Sequence, residues 1–271
     1  MTEHSDSALH QLPDPWRDLA AAAVAAARND ARVVGVLVGG SVASGTADGY
    51  SDLDLVLACT DRGATQMLAE AQAFARQLGP VLVAFTGEHV GEPRLLIVLY
   101  GPPLRHVDLK FIGLSDLGAR VEDGLVLWQR DDMLGRALRR TGPVWPSTDP
   151  QWVEDRFWVW VHYVTAKIGR GEVLEAVEAL TMMRSLALAP LASMGRTDKP
   201  AGVRRIETLA PEHAAALRAT VAGASREDCV RALRATIALY QQLRDSDPHR
   251  PSVQRHEAAE LAVTDYLRRV T

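Results

Sequence analysis

The chain has 271 residues, 47% of them hydrophobic but only 6% aromatic, so its apolar mass is largely Ala, Leu and Val and suits a helix-rich protein with room for two cores. A net charge of −4 and a pI near 6.1 lack the basic surplus of proteins that grip long nucleic acids, which excludes that partner class. The two cysteines, Cys59 and Cys229, lie far apart with no CxxC pair, so they read as buried thiols and rule out a zinc ribbon.

Met1 to Pro13 is polar and acidic, without the basic start and apolar core of a secretion signal, and Leu19 to Ala27 is too short to span a bilayer. A cytoplasmic protein with no membrane partner is expected. Trp16 to Asn29 reads as a helix, and the β-branched run Val33 to Val38 as a buried strand. A Gly39-Gly40 turn and a polar loop lead to a second strand, Leu53 to Ala58. Thr65 to Leu78 has helical spacing, with Met67, Ala71, Phe74 and Leu78 on one stripe, and Gly79-Pro80 ends it. Val81 to Phe85, Leu95 to Tyr100 and His106 to Ile112 read as strands, with Gly101-Pro102-Pro103 as a turn. This order predicts an α/β or α+β domain around a mixed sheet.

The proline-rich segment 141–150 reads as a linker between a domain at 1–140 and a second at 151–271. Beyond it, Trp152 to Ile168, Glu172 to Met194, Ser225 to Arg244 and Ser252 to Val270 all carry helical spacing. Phe157, Trp160, Val164 and Ile168 form one stripe. Pro190 should kink or end the second helix, Ser225 and Asp228 form a capping-box pattern, and Pro251-Ser252 opens the fourth helix. The second half is therefore expected to be an all-α bundle.

The chemistry lies in Gly39-Gly40-Ser41 and Ser51-Asp52-Leu53-Asp54-Leu55. Strand side chains alternate, so Asp52 and Asp54 point the same way, about 7 Å apart along the backbone. Two such charges repel by about 2–3 kcal/mol at an effective dielectric near 20, and a bound cation relieves that repulsion. Oxygen-only ligands beside a phosphate-cradling glycine turn suggest Mg²⁺ on a nucleoside triphosphate. Asp108, between Val107 and Leu109 on a later strand, is the third candidate ligand. His106 shares its face and could assist metal or phosphate binding, or simply occupy an exposed edge. Backbone N–H groups of the turn and the Ser41 hydroxyl are candidate phosphate donors. Other phosphate and hydrolase motifs are missing: there is no GxGxxG after a strand, no P-loop and no GxSxG.

The pattern GGS…SDLDLVL with a later VDLKF resembles the nucleotidyltransferase superfamily that includes DNA polymerase beta. Its phrasing, GGSVASGTADGYSDLDL, is most similar to bacterial aminoglycoside and lincosamide nucleotidyltransferases. The resemblance implies an α+β fold, with a small mixed-sheet catalytic domain followed by a helical bundle. It implies that Gly40 and Ser41 contact nucleotide phosphates, that Asp52 and Asp54 bind metal, and that Asp108 is the third ligand or general base. It also implies that Lys167, on the first helix after the catalytic domain, reaches the triphosphate; a solvated helix end is the other reading. Glu172, Glu175 or Glu178 could supply a base from the helical domain. Trp152, Trp158 and Trp160 read as packing residues, one of which could line the acceptor cleft expected between the domains. One departure stands out. Ser44 occupies a place where relatives often carry Arg, which removes a phosphate contact.

The implied activity is Mg²⁺-dependent transfer of AMP from ATP to a hydroxyl of a small acceptor such as an aminoglycoside-like antibiotic, with release of pyrophosphate, as in antibiotic resistance. A protein-modifying, antitoxin-type transferase and a non-catalytic nucleotide-binding protein are the alternatives; the long helical half argues against the first and the three aspartates against the second.

Overall fold

The computed structural model describes residues 8–196, 202–245 and 253–271, and the chain divides into two compact units, Met1–Trp145 and Pro146–Thr271. The start of the chain through residue 7 and the Pro251-Ser252 turn lie outside the described residues.

The apolar runs of the first unit build one six-stranded sheet from β1 (Val33–Val38), β2 (Leu53–Cys59), β3 (Val81–Gly87), β4 (Glu92–Tyr100), β5 (Arg105–Gly113) and β6 (Leu125–Gln129). Their order is β3-β4-β5-β2-β1-β6. Only β2 and β5 run parallel; every other neighbouring pair is antiparallel. The sheet is thus mixed, as expected, and β6 is a strand absent from the sequence reading.

Helices α1 (Asp14–Asn29), α2 (Gly40–Ala43), α3 (Asp61–Ala69), α4 (Ala71–Leu78) and α5 (Met133–Leu138) complete this unit. One face of the sheet carries the larger core. Leu53, Leu55 and Leu57 of β2 meet Trp16, Leu19 and Val24 of α1, and Met67 and Phe74 of α3 and α4. Phe74 meets Phe111 edge to face, with ring centres 5.8 Å apart. Each fully buried leucine contributes about 2 kcal/mol. The opposite face carries a smaller core of Val34, Leu37, Ala58 and Ile112 under Leu117 and Leu134.

The expected single helix from Thr65 to Leu78 is two. Thr60 caps α3 by accepting the Gly63 N–H, and Glu70 leaves the helical basin at φ −101°, ψ 7° while Arg32 holds its carboxylate at 2.8 Å. A long-range ion pair accompanies the break, and the apolar stripe simply continues across it.

Among the described residues, the regular elements of the second unit are helices: α6 (Pro150–Arg170), α7 (Val173–Met183), α8 (Ala189–Ser193), α9 (Ile206–Leu209), α10 (Pro211–Ala219), α11 (Arg226–Asp245) and α12 (Glu257–Val270). Asp149 caps α6, Pro150 opens it and Gly171, at φ 75°, ends it. Its buried stripe runs through Val153, Phe157, Val161, Val164 and Ile168, with Trp160 only partly buried beside it. Phe157 stacks on Tyr240 at 3.7 Å. Pro190 does not end the second predicted helix. A π-helical turn over Arg184–Leu188 widens the coil just before it, where proline removes a backbone donor, and the chain stays helical to Ser193. The Ser225 hydroxyl accepts the Asp228 N–H, but the Asp228 carboxylate accepts from Gly223, so the capping box is half formed. Residues 253–256 are not helical, so α12 starts later than the spacing suggests. Among the described residues, no helix is long and apolar enough to cross a membrane.

Candidate active site

Alternation places the acids. Because Leu53, Leu55 and Leu57 enter the larger core, Asp54 faces the other side of the sheet, and Asp52, one residue before β2, shares that side. On β5, burial of Val107, Leu109 and Phe111 turns Asp108 the same way. The parallel register then sets Asp54 directly opposite Asp108. One carboxylate oxygen from each of Asp52, Asp54 and Asp108 lies within 4.8 Å of the others, and all three residues are half-buried. Two full charges at that spacing repel by about 3 kcal/mol at an effective dielectric near 20.

Burial pushes the Asp108 carboxyl above its ordinary pKa; His106 opposes the shift and the charge of Asp52 adds to it. His106 Nε2 lies 3.0 Å from Asp108 Oδ1. The histidine is the more exposed of the pair, at 47% against 20%.

The glycine turn sits against the same acids. The Gly39 N–H donates to the Asp54 carbonyl at 2.9 Å. Gly40 has φ +58°, and a Cβ there would stand 2.1 Å from Asp54 Oδ2. Only glycine gives both the left-handed backbone and that close approach. The Gly40 N–H points to Glu122 Oε1 at 3.3 Å. Glu122 lies in an irregular loop 82 residues away, and no sequence pattern singles it out. The Ser41 hydroxyl oxygen is buried without a hydrogen-bond partner. Ser44 closes the loop on itself, donating to the Ser41 carbonyl at 3.2 Å and lying 2.9 Å from Thr46 Oγ1.

This donor set suits a hard divalent cation. It is all carboxylate oxygen, with no sulfur, and beside it are an orphaned hydroxyl and a glycine cradle that a side chain would fill. Asp52, Asp54 and Asp108 are the residues that could hold such an ion.

The sequence model of the family described as Streptomycin adenylyltransferase matches residues 17–270, nearly the whole chain. The chain belongs to the streptomycin adenylyltransferase family. It is therefore an adenylyltransferase, a nucleotidyltransferase of the kind that the GGS and SDLDL phrases suggest. No curated protein matches the adenylyltransferase chain. Among solved structures, it is similar to an aminoglycoside 6-adenyltransferase from Bacillus subtilis, with TM-score 0.39 and 15% identity over 93% of this chain and 97% of that one.

Other sequence candidates of the adenylyltransferase lie in its helical unit. Lys167 Nζ is 2.5 Å from Glu172 Oε2 and 3.5 Å from Glu175 Oε1, and sits 5.0 Å from the Tyr163 ring centre. Tyr163 in turn donates to Glu175. Lys167 is thus engaged with two of the acids considered as bases. Trp158 is buried, whereas Trp152 and Trp160 meet edge to face at 5.8 Å.

Proposed function

We propose that this enzyme transfers AMP from ATP to a hydroxyl of a small antibiotic, the class that its family description names being an aminoglycoside. The reading is carried by the in-register pair Asp54 and Asp108, joined by Asp52 within 4.8 Å and roofed by Gly40. In it, Asp52, Asp54 and Asp108 would hold Mg²⁺. A divalent cation bound there would offset triphosphate charge and make the acceptor hydroxyl a better nucleophile.

The chain's own groups do the rest. Backbone N–H groups of the glycine turn and the Ser41 hydroxyl donate to phosphate oxygens. Asp108, opposite Asp54 across the parallel strand pair, takes the proton of the attacking hydroxyl. An ATP-consuming reaction of this type is assigned to the cytoplasm.

The test is mass spectrometry of antibiotics incubated with the enzyme, ATP and Mg²⁺. A product carrying one added AMP, formed only with all three components, supports the reading. Unmodified antibiotics throughout a panel of aminoglycosides and lincosamides would end it.

A further inference from the structure

The loop before β6 brings a further carboxylate to the glycine turn, and both ends of its tip are fixed. On one side the Arg120 guanidinium donates to the Leu117 and Leu138 carbonyls, each at 3.1 Å, and pairs with Asp123 at 2.5 Å. The Arg120 carbonyl accepts the Val144 N–H at 3.0 Å. On the other side Gly124 lies against the end of β1, where a Cβ would stand 2.8 Å from the Val38 carbonyl oxygen. The next residue, Leu125, opens β6 opposite Val38.

Because β6 runs antiparallel to β1, the residues just before Leu125 pass the end of β1, where Gly39-Gly40 begins. Glu122 lies in that stretch, between the two fixed points, and is half-buried. Its Oε1 accepts the Gly40 N–H at 3.3 Å. A Cβ on Gly39 would lie 3.7 Å from the same oxygen and 3.6 Å from Asp54 Cβ. The turn is therefore flanked by two acids. Asp54 belongs to the carboxylate cluster with Asp52 and Asp108, whereas Glu122 stands on a backbone donor of the turn.

That donor is one the transfer reading gives to the nucleotide. A backbone N–H carries a single hydrogen, so a carboxylate and a phosphate oxygen cannot both receive its full bond. Two anions at contact distance also repel each other. Hydrogen bonds from an N–H to an ionised oxygen are among the stronger ones, and the two acceptors are of the same kind.

We infer that Glu122 competes with a nucleotide phosphate for the Gly40 N–H, and so sets how tightly the enzyme holds ATP. The inference rests on the transfer reading above and adds a residue to it. A triphosphate seats itself on the turn by displacing the Glu122 carboxylate, and the carboxylate takes the N–H back when the phosphates leave. Glu122 thereby keeps a buried-edge donor paired throughout the cycle and weakens every ligand that places a phosphate on the turn. No bond is made or broken in this exchange apart from hydrogen bonds.

The experiment is isothermal titration calorimetry of a non-hydrolysable ATP analogue, with Mg²⁺, into the full chain and three variants. Glu122→Ala removes both the charge and the acceptor and should bind the analogue about tenfold more tightly than the parent. Glu122→Gln loses the charge but keeps an acceptor oxygen and should show part of that gain. Asp123→Asn removes a carboxylate from the same loop that faces Arg120 instead of the turn, and should bind like the parent. Thermal melts should place all three variants close to the parent, since Glu122 and Asp123 lie on a loop outside both cores of the sheet unit.

Unchanged binding by Glu122→Ala overturns the inference. Weaker binding also overturns it, and would make Glu122 a group that supports the nucleotide. Equal tightening by Asp123→Asn overturns it too, because the gain would then reflect net charge and not the contact with Gly40. A parent that binds the analogue with no gain in the Glu122 variants strikes this inference alone. If neither parent nor variants bind the analogue, the transfer reading itself falls and takes the inference with it.

Discussion

Asp54 and Asp108 stand opposite each other in the one parallel strand pair of the sheet, and each is pushed outward by the apolar residues its own strand buries on either side, Leu53 and Leu55 for the first and Val107 and Leu109 for the second. The repulsion between the acids is therefore built into the register, and the folded core sustains it.

The first prediction concerns that repulsion. Asp108→Asn should abolish transfer and yet raise the stability of the metal-free protein by about 1–2 kcal/mol at neutral pH. The sign follows from the raised pKa. A carboxyl with folded pKa above its unfolded value near 3.8 carries no penalty below 3.8, and the full penalty once pH exceeds the folded value. Thermal melts of parent and variant, with and without Mg²⁺, check this. The parent should gain stability from Mg²⁺ and the variant should gain much less.

The second concerns the turn. Gly40→Ala adds a Cβ that clashes with Asp54 Oδ2 and imposes a left-handed backbone on a residue for which it costs about 1–2 kcal/mol. Nucleotide affinity should fall and the protein should remain folded, measured by titration with the ATP analogue and by circular dichroism. Unchanged affinity would remove Gly40 from the phosphate site.

The third concerns pH. Hydrogen bonding to Arg94, with Lys110 assisting, holds the Glu92 carboxyl down to about 2. A depressed folded pKa contributes stability above the ordinary value of 4.5, and that contribution is lost as pH falls from 4.5 towards 2. With screening by solvent, Glu92→Gln should cost about 1–2 kcal/mol at pH 7 and flatten the acid limb of the stability profile, read by denaturant melts across that window.

The fourth lies in the helical unit. Glu154 is fully buried, accepts from Trp158 Nε1 at 3.1 Å, from the His256 N–H at 2.9 Å and from the Tyr240 hydroxyl, and lies 3.5 Å from Arg244. Glu154→Ala strands those partners and should destabilise the protein by about 3–5 kcal/mol, measured by urea unfolding.

Much of this was legible in the residues. Alternation of Leu53, Leu55 and Leu57 with Asp52 and Asp54 writes the acidic face directly into the sequence, and Gly39-Gly40 marks the turn. The β-branched run at β1 and the stripe from Phe157 to Ile168 each declare their element. What escaped depends on partners distant in sequence. The break at Glu70 coincides with an ion pair to Arg32, and the approach of Glu122 to Gly40 spans 82 residues. The continuation through Pro190 needs a π turn that no periodicity announces.

The most direct measurement is the rate of pyrophosphate release from ATP, with Mg²⁺ and an antibiotic acceptor, for the parent enzyme and for Asp54→Asn. The account predicts that the variant melts no lower than the parent and releases pyrophosphate about a thousandfold more slowly or not at all. A folded Asp54→Asn enzyme that keeps the parent's rate would contradict it.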